Sequence, residues 1–239
     1  MVEKIIKRLL IEMNIHDRSG IFGYTQRLLA YNSNKIEGST LDERQTASLF
    51  ETGSLKSNDN IIAKDIEEMN GHFLMFNNML FNYKETLTHE IIKKYHYELK
   101  VGVFQDKLNG YVAGEYKKRS NIVSTISVSK PEDVEYDLER LLDEYNNKDI
   151  ITLEDIAIFH ARYEKIHPFQ DGNGRTGRII IYKECLKNNI IPLIISDSNK
   201  INYYNALYSA QMEENYKDLI ELFKFEQQNY QKNIKDFIK

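Results

Sequence analysis

Residues 167–178 read His-Pro-Phe-Gln-Asp-Gly-Asn-Gly-Arg-Thr-Gly-Arg, a base, a carboxylate, three glycines and two arginines in twelve consecutive positions. Pro168 biases the backbone of His167 toward an extended conformation. Gly172, Asn173 and Gly174 allow left-handed or close-approach geometry, so several N–H groups can point at one anion. Thr176 to Leu186 reads as helix, which sets the loop at a helix N-terminus, where unpaired amides and the dipole favour phosphate. Arg175 and Arg178 are three apart and share a helical face. Upstream, Thr152 reads as a cap for a helix carrying Ile156, Phe159, Tyr163 and Ile166, which runs directly into His167. The frame is therefore helix, loop, helix.

The twelve residues resemble the signature of the Fic family, His-Pro-Phe-x-Asp/Glu-Gly-Asn-Gly-Arg-x-x-Arg, with every specified position filled. The resemblance implies an all-α fold, a Fic-type helical bundle with a short β-hairpin flap. It also implies a Mg²⁺-dependent nucleotidyltransferase that moves AMP from ATP to a hydroxyl side chain of a target protein, or of itself. In that chemistry His167 is the base for the attacking hydroxyl, its ordinary pKa near ~6.5 suiting neutral pH. Asp171 offers Mg²⁺ a hard oxygen. The amides around Gly172, Asn173 and Gly174 cradle phosphates, Arg175 lies near the β-phosphate and Arg178 on the γ-phosphate. Phe169 buries its ring and anchors the loop.

Ahead of this core, apolar residues at helical spacing predict helices over 2–13 and 22–36. The second ends Ser33-Asn34-Lys35-Ile36-Glu37-Gly38. On the residues alone Glu37 reads as a solvated surface acid and Gly38 as a helix-ending glycine. The six residues also fit the family's inhibitory pattern, Ser/Thr-x-x-x-Glu-Gly/Asn, which implies that Glu37 pairs with Arg178 and obstructs the γ-phosphate. Thr40 and Glu43 look like a capping box opening a short helix to about Phe50. Thr52 to Asn60 is the best linker candidate. Residues 1–60 are expected to form a helical regulatory segment and 61–239 the catalytic core, as one folded unit.

Long apolar stripes predict helices over 61–81 and 88–99, in which His72, His89 and His96 lack metal-like spacing and are assigned no chemistry. Gly102 to Ser120 breaks the periodicity. Ile122, Val123, Ser124, Thr125 and Ile126 then bring β-branched residues, an edge strand by themselves and a target-docking flap by resemblance. The preceding Gly114-Glu115-Tyr116-Lys117 resembles a Gly-x-Tyr-Arg stretch, with Lys in place of Arg. Pro131 suits the first turn of a further helix, and two more follow over 199–212 and 216–238. On the first of these, Tyr203 and Tyr204 read as core aromatics or, by resemblance, as residues flanking adenine.

Composition agrees with helix: 11 Gly and 3 Pro in 239 residues, where average usage would give roughly twice as many. A net charge of −4 gives no general attraction to nucleic acid or anionic membrane, and no apolar run is long enough to span a bilayer. A soluble, cytoplasmic chain without nucleic-acid or membrane partners is expected. The single Cys185 excludes an internal disulfide and reads as a packed thiol. Other readings of the same site are removal of AMP from a modified protein, transfer of a different phosphate-containing group, and nucleotide sensing without turnover.

Overall fold

The computed structural model describes residues 1–55, 61–121 and 126–238. Its helices, in chain order, are α1 (Val2–Asn14), α2 (Ile21–Ile36), α3 (Glu43–Thr52), α4 (Ala63–Asn82), α5 (His89–Lys100), α6 (Phe104–Leu108), α7 (Val134–Asn146), α8 (Leu153–Ile166), α9 (Asn173–Lys187), α10 (Lys200–Glu213) and α11 (Lys217–Ile234). Short 3₁₀ turns occupy Asp197–Asn199 and Lys235–Ile238. The fold is all-α.

The centre of the bundle is α9. Ile179, Ile180 and Ile181 follow one another and leave no continuous polar face, and every residue from 175 to 186 is buried. A helix apolar around its circumference can only sit inside, and α9 is packed among α2, α4, α5 and α8. Its polar residues are paired where they lie: the Lys183 ammonium meets Glu184 at 2.6 Å, and Tyr145 of α7 donates to the same carboxylate. A chain of hydroxyls, Thr25 to Tyr230 (2.7 Å) to Tyr182 (2.9 Å), joins α2, α11 and α9 without leaving a buried oxygen alone.

Local chemistry sets the helix ends around the centre. Thr152 caps α8 in a reciprocal box with Asp155, and Thr88 caps α5, as their sequences predict. The cap of α3 differs from its prediction. Asp42, not Thr40, accepts from the Gln45 amide, while Gln45 reaches back to the Asp42 amide. Thr40 instead donates to Asp65 of α4. Placing Thr46, Leu49 and Phe50 inward selects the later start. Pro131 likewise stands ahead of its helix, which begins at Val134, and the break after Gly102 contains the short α6.

Among the described residues there is no β-strand. Of the expected flap, Ile122, Val123, Ser124 and Thr125 lie outside the described residues, as do 56–60 of the expected linker, and Ile126 takes part in an isolated β-bridge. No helix among the described residues is long and apolar enough to cross a membrane.

Candidate functional site

The loop between α8 and α9 departs from its predicted shape at its first residue. His167 is not extended but left-handed, with φ 53° and ψ 60°, and its amide donates to the Tyr163 carbonyl at 3.0 Å. Proline at 168 bars the right-handed helical backbone, and the left-handed well is the other way to close α8. A non-glycine residue in that well is strained, a condition that concentrates at functional sites. Helix α9 then starts at Asn173, three residues earlier than predicted, so Gly172 (φ 84°) is its N-cap and the amides of Asn173 and Gly174 belong to its first turn. The free amides of the α9 N-terminus thus lie inside the motif.

Three side chains hold the loop's shape. The Asn173 amide spans it, accepting from the Phe169 amide at 2.7 Å and donating to the Phe169 carbonyl at 2.8 Å. The Phe169 ring is fully buried and stacked on His96 of α5, centroids 3.8 Å apart and planes 2° from parallel. His96 in turn accepts from the Gly114 amide at Nδ1 and bonds the Asp171 carbonyl through Nε2 (3.0 Å). Burial, above all, drives its pKa down to about 3, so it stays neutral. A histidine with no motif to mark it is therefore a principal anchor of the loop.

The candidate base is neutral as well. Burial, then the positive charge of Lys117, lowers the His167 pKa to about 4, against opposing pulls from Glu37 and Asp171. Near neutral pH the imidazole can accept a proton.

At the other end of the loop Asp171 joins a balanced buried network. Lys100, 2% exposed, meets Glu68, Asp106 at 2.7 Å and Asp171 at 2.8 Å, while Arg175 pairs with Glu68 and lies 3.4 Å from Asp171. Lys64 reaches the same Asp171 oxygen at 3.0 Å. Burial opposes ionisation of Asp171, but Arg175 and Lys100 overcome it and hold the carboxyl far below the usual range. No group of three His, Cys, Asp or Glu side chains gathers as a metal cage among the described residues. A magnesium ion needs only one or two carboxylates beside substrate phosphates and waters. An ionised Asp171, its side chain 31% exposed, fits that requirement.

Arg178 lies one turn along α9 and is held from α2. It donates to the Ser33 hydroxyl (3.0 Å), the Ser33 carbonyl (2.9 Å) and the Glu37 carboxylate (2.6 Å). Burial works against an ionised Glu37, yet Arg178 and then Arg175 outweigh it and keep its pKa below the ordinary value. The carboxylate lies against Gly174, where a Cβ would come within 2.3 Å of Oε1. An anionic oxygen therefore already rests on the first turn of α9. Glu164, three residues before His167, points a partnerless buried oxygen at Gly177. Burial pushes its pKa up to about 8, with Arg178 pulling it down and Glu37 up. At neutral pH Glu164 is largely protonated, and Glu37 is the ionised carboxylate on Arg178.

The two tyrosines separate. Tyr203 is 1% exposed, its hydroxyl on His160 at 2.7 Å and its ring 5.9 Å from the Arg178 guanidinium. It has no face open to a ligand. Tyr204 is 42% exposed and donates to the Ile36 carbonyl at the end of α2.

Known proteins carry the same frame. Residues 86–185 match the Fic/DOC family. The chain is 25% identical over 235 residues to protein adenylyltransferase fic-1 of Caenorhabditis elegans, spanning 89% of this chain and 44% of that protein. It is 27% identical to protein adenylyltransferase Fic of Nematostella vectensis over 75% of this chain and 42% of that one. The chain thus covers less than half the length of these curated relatives. Among solved structures, a Fic domain containing signaling protein from Bacteroides thetaiotaomicron superposes with TM-score 0.77 at 25% identity, over 98% of this chain and 96% of that one. A segment of Fic-1 from C. elegans gives TM-score 0.77 at 21% identity, covering 99% and 72%.

Proposed function

Because this chain belongs to the Fic/DOC family, we propose that it is a protein adenylyltransferase, moving AMP from ATP to a hydroxyl of a target protein and of itself. The observation that carries this reading is the meeting, in one loop, of a neutral buried imidazole at His167 and the anion-binding N-terminus of α9. In the transfer, the hydroxyl oxygen bonds to the α-phosphorus, its proton passes to His167, and the bond to the pyrophosphate oxygen breaks. The Asn173 and Gly174 amides, Arg175 and Arg178 take up the polyphosphate charge, the kind of fixed positive environment that carries most of the work in phosphoryl transfer. Asp171 would hold Mg²⁺, which when bound supplies charge neutralisation to the phosphates.

Residues 1–60 act as the regulatory segment. The Glu37 carboxylate occupies Arg178 and the space over Gly174 that a phosphate of ATP would need. Nucleotide must displace it or bind with its α-phosphate out of line, and a misplacement of about 1 Å can lower the rate on the order of a hundredfold. The exposed Tyr204, rather than the enclosed Tyr203, is the residue available to an adenine ring.

The test uses ATP labelled at either the α- or the γ-phosphate, with wild type, Glu37→Gly and His167→Ala. Protein-bound α-label is expected, strongest in Glu37→Gly and lost in His167→Ala. Transfer of γ-label, or no label in Glu37→Gly with a cell lysate as target, overturns the reading in favour of phosphorylation, AMP removal or nucleotide sensing.

A further inference from the structure

The Gly114 to Lys117 stretch is the motif that the transfer chemistry leaves unused, and it is bound tightly to the site. The Gly114 amide donates to His96. The Tyr116 hydroxyl is 2.6 Å from Nδ1 of His89, whose other nitrogen is 2.7 Å from Glu139 of α7. The Lys117 amide donates to the Pro168 carbonyl at 2.9 Å. Its ammonium, on a residue 3% exposed, donates to the Ile166 carbonyl at 3.3 Å and to the Asn121 side chain at 2.9 Å. Asn121 donates in turn to the Phe169 carbonyl at 3.1 Å. Residues 166, 168 and 169 are thus all fastened to 117–121, and the only loop residue between them is His167.

Among the described residues no carboxylate pairs with the Lys117 ammonium; its partners are neutral oxygens. A buried cation without a counter-ion is costly and is normally neutralised or removed. Here burial alone lowers its pKa to about 8, which leaves it mostly charged at neutral pH. We infer that Lys117 is a positioning residue for His167: its amide on the Pro168 carbonyl and its ammonium on the Ile166 carbonyl bracket the strained His167 peptide and set a buried positive charge beside the imidazole that must accept the proton of the attacking hydroxyl. The proposal deepens the adenylyl-transfer reading, on which only its catalytic consequence rests. The other charged groups facing His167 are Glu37 from the end of α2 and Asp171 from the loop, and both favour the protonated ring. Lys117 is the charge that opposes them.

The experiment is an NMR titration of the histidine rings in wild type, Lys117→Arg, Lys117→Met and Lys117→Gln, without nucleotide. Met removes charge and hydrogen bond together. Gln keeps a donor for the Ile166 carbonyl without the charge, and so remains informative if Met fails to fold. The His167 midpoint is expected to rise by about one pH unit or more in Gln and Met and to stay low in Arg, with His96 and His160 unmoved. The acid limb of α-label transfer should shift upward with it. An unchanged His167 midpoint in folded Lys117→Gln, or all histidines moving together, overturns the inference. Because the titration needs no turnover, a chain that transfers no AMP leaves this result readable.

Discussion

Arg175 and Arg178 stand three residues apart on α9 and are each 3% exposed, yet they are held in opposite ways. Arg175 meets Glu68 and Asp171 inside a network that Lys100 and Asp106 complete, with acids supplied by α4, by the loop and by the residues after α5. Arg178 meets one ionised carboxylate, Glu37, whose side chain is 32% exposed and sits at the last turn of α2. A charge compensated from several directions in the interior cannot lose a partner without leaving others buried and unpaired. A charge compensated by one half-open side chain can. The first arginine is fixed in place by the fold, and the second has the partner that can be exchanged.

The sharpest way to break that contrast is to remove Glu68. Glu68→Gln leaves Arg175 and Lys100 short of a buried counter-charge and should cost about 3 kcal/mol, read as a lowered urea midpoint with unchanged m-value. Glu37→Gln removes the charge beside Arg178, but from a position water reaches and with both Ser33 oxygens still on the guanidinium, and should cost less, about 1–2 kcal/mol. Equal losses in the two variants would mean that both arginines are structural.

Activity should divide in the reverse order. Under the proposed function, Glu37→Gly frees Arg178 and the face of Gly174 for phosphate, and α-label transfer should rise on the order of a hundredfold. Glu68→Gln should lower it, since Asp171 and Arg175 lose their alignment. Steady-state labelling at saturating Mg-ATP reads both, and a Glu37→Gly rate equal to wild type would sink the view of Arg178 as the ligand's arginine.

Acid should separate the buried histidines from the Glu37 contact. His72, His96 and His160 have pKa values lowered to about 3 and His167 to about 4, burial being the first cause in each. The unfolded chain takes these protons near pH ~6.5. Their contribution to stability is therefore complete above that pH and lost as pH falls toward 4, at up to about 1.4 kcal/mol per histidine per unit. Glu37, with its pKa lowered, keeps its contact with Arg178 through the same window and gives it up only below the ordinary carboxylate range. Thermal unfolding between pH 8 and 5 should show Tm falling below about 6.5 with the Glu37 contact still made. A flat Tm over that range would mean that the buried histidines are solvated.

The same contrast explains what could be read in the sequence. His167 to Arg178 is contiguous, and its residue types announce a base and an anion site wherever they fold. Ser33 and Glu37 were legible because a helix puts positions four apart on one face and their pattern resembles a family motif; that they reach Arg178, 145 and 141 positions away, is a property of packing. The network under Arg175 was not legible. Lys64, Glu68 and Lys100 are charged residues on amphipathic helices, and nothing in their spacing distinguishes an inward charge from a solvated one. His96 and Lys117 carried no signal beyond a loosely matched neighbourhood. Tyr203 and Tyr204 are adjacent, so a helix turns them about 100° apart. Only the depth of α10 decides that one is enclosed and the other open.

Ser33 offers the smallest and most discriminating test of how Arg178 is held. Its buried hydroxyl accepts from Arg178 Nε while its carbonyl accepts from the same guanidinium, so the residue aims the arginine toward Glu37 without charge of its own. Ser33→Ala removes one hydrogen bond and leaves the carbonyl in place, a loss of about 1 kcal/mol. If the hydroxyl serves the closed arrangement, that loss falls on the Glu37-bound state, and transfer should rise roughly fivefold, far less than in Glu37→Gly. Residues acting on one guanidinium should also be non-additive: once Glu37 is Gly, Ser33→Ala should add nothing or lower the rate, because Arg178 then needs the hydroxyl to face phosphate. A Ser33→Ala gain that multiplies fully on top of Glu37→Gly would place Ser33 outside the latch, leaving Arg178 held by Glu37 alone.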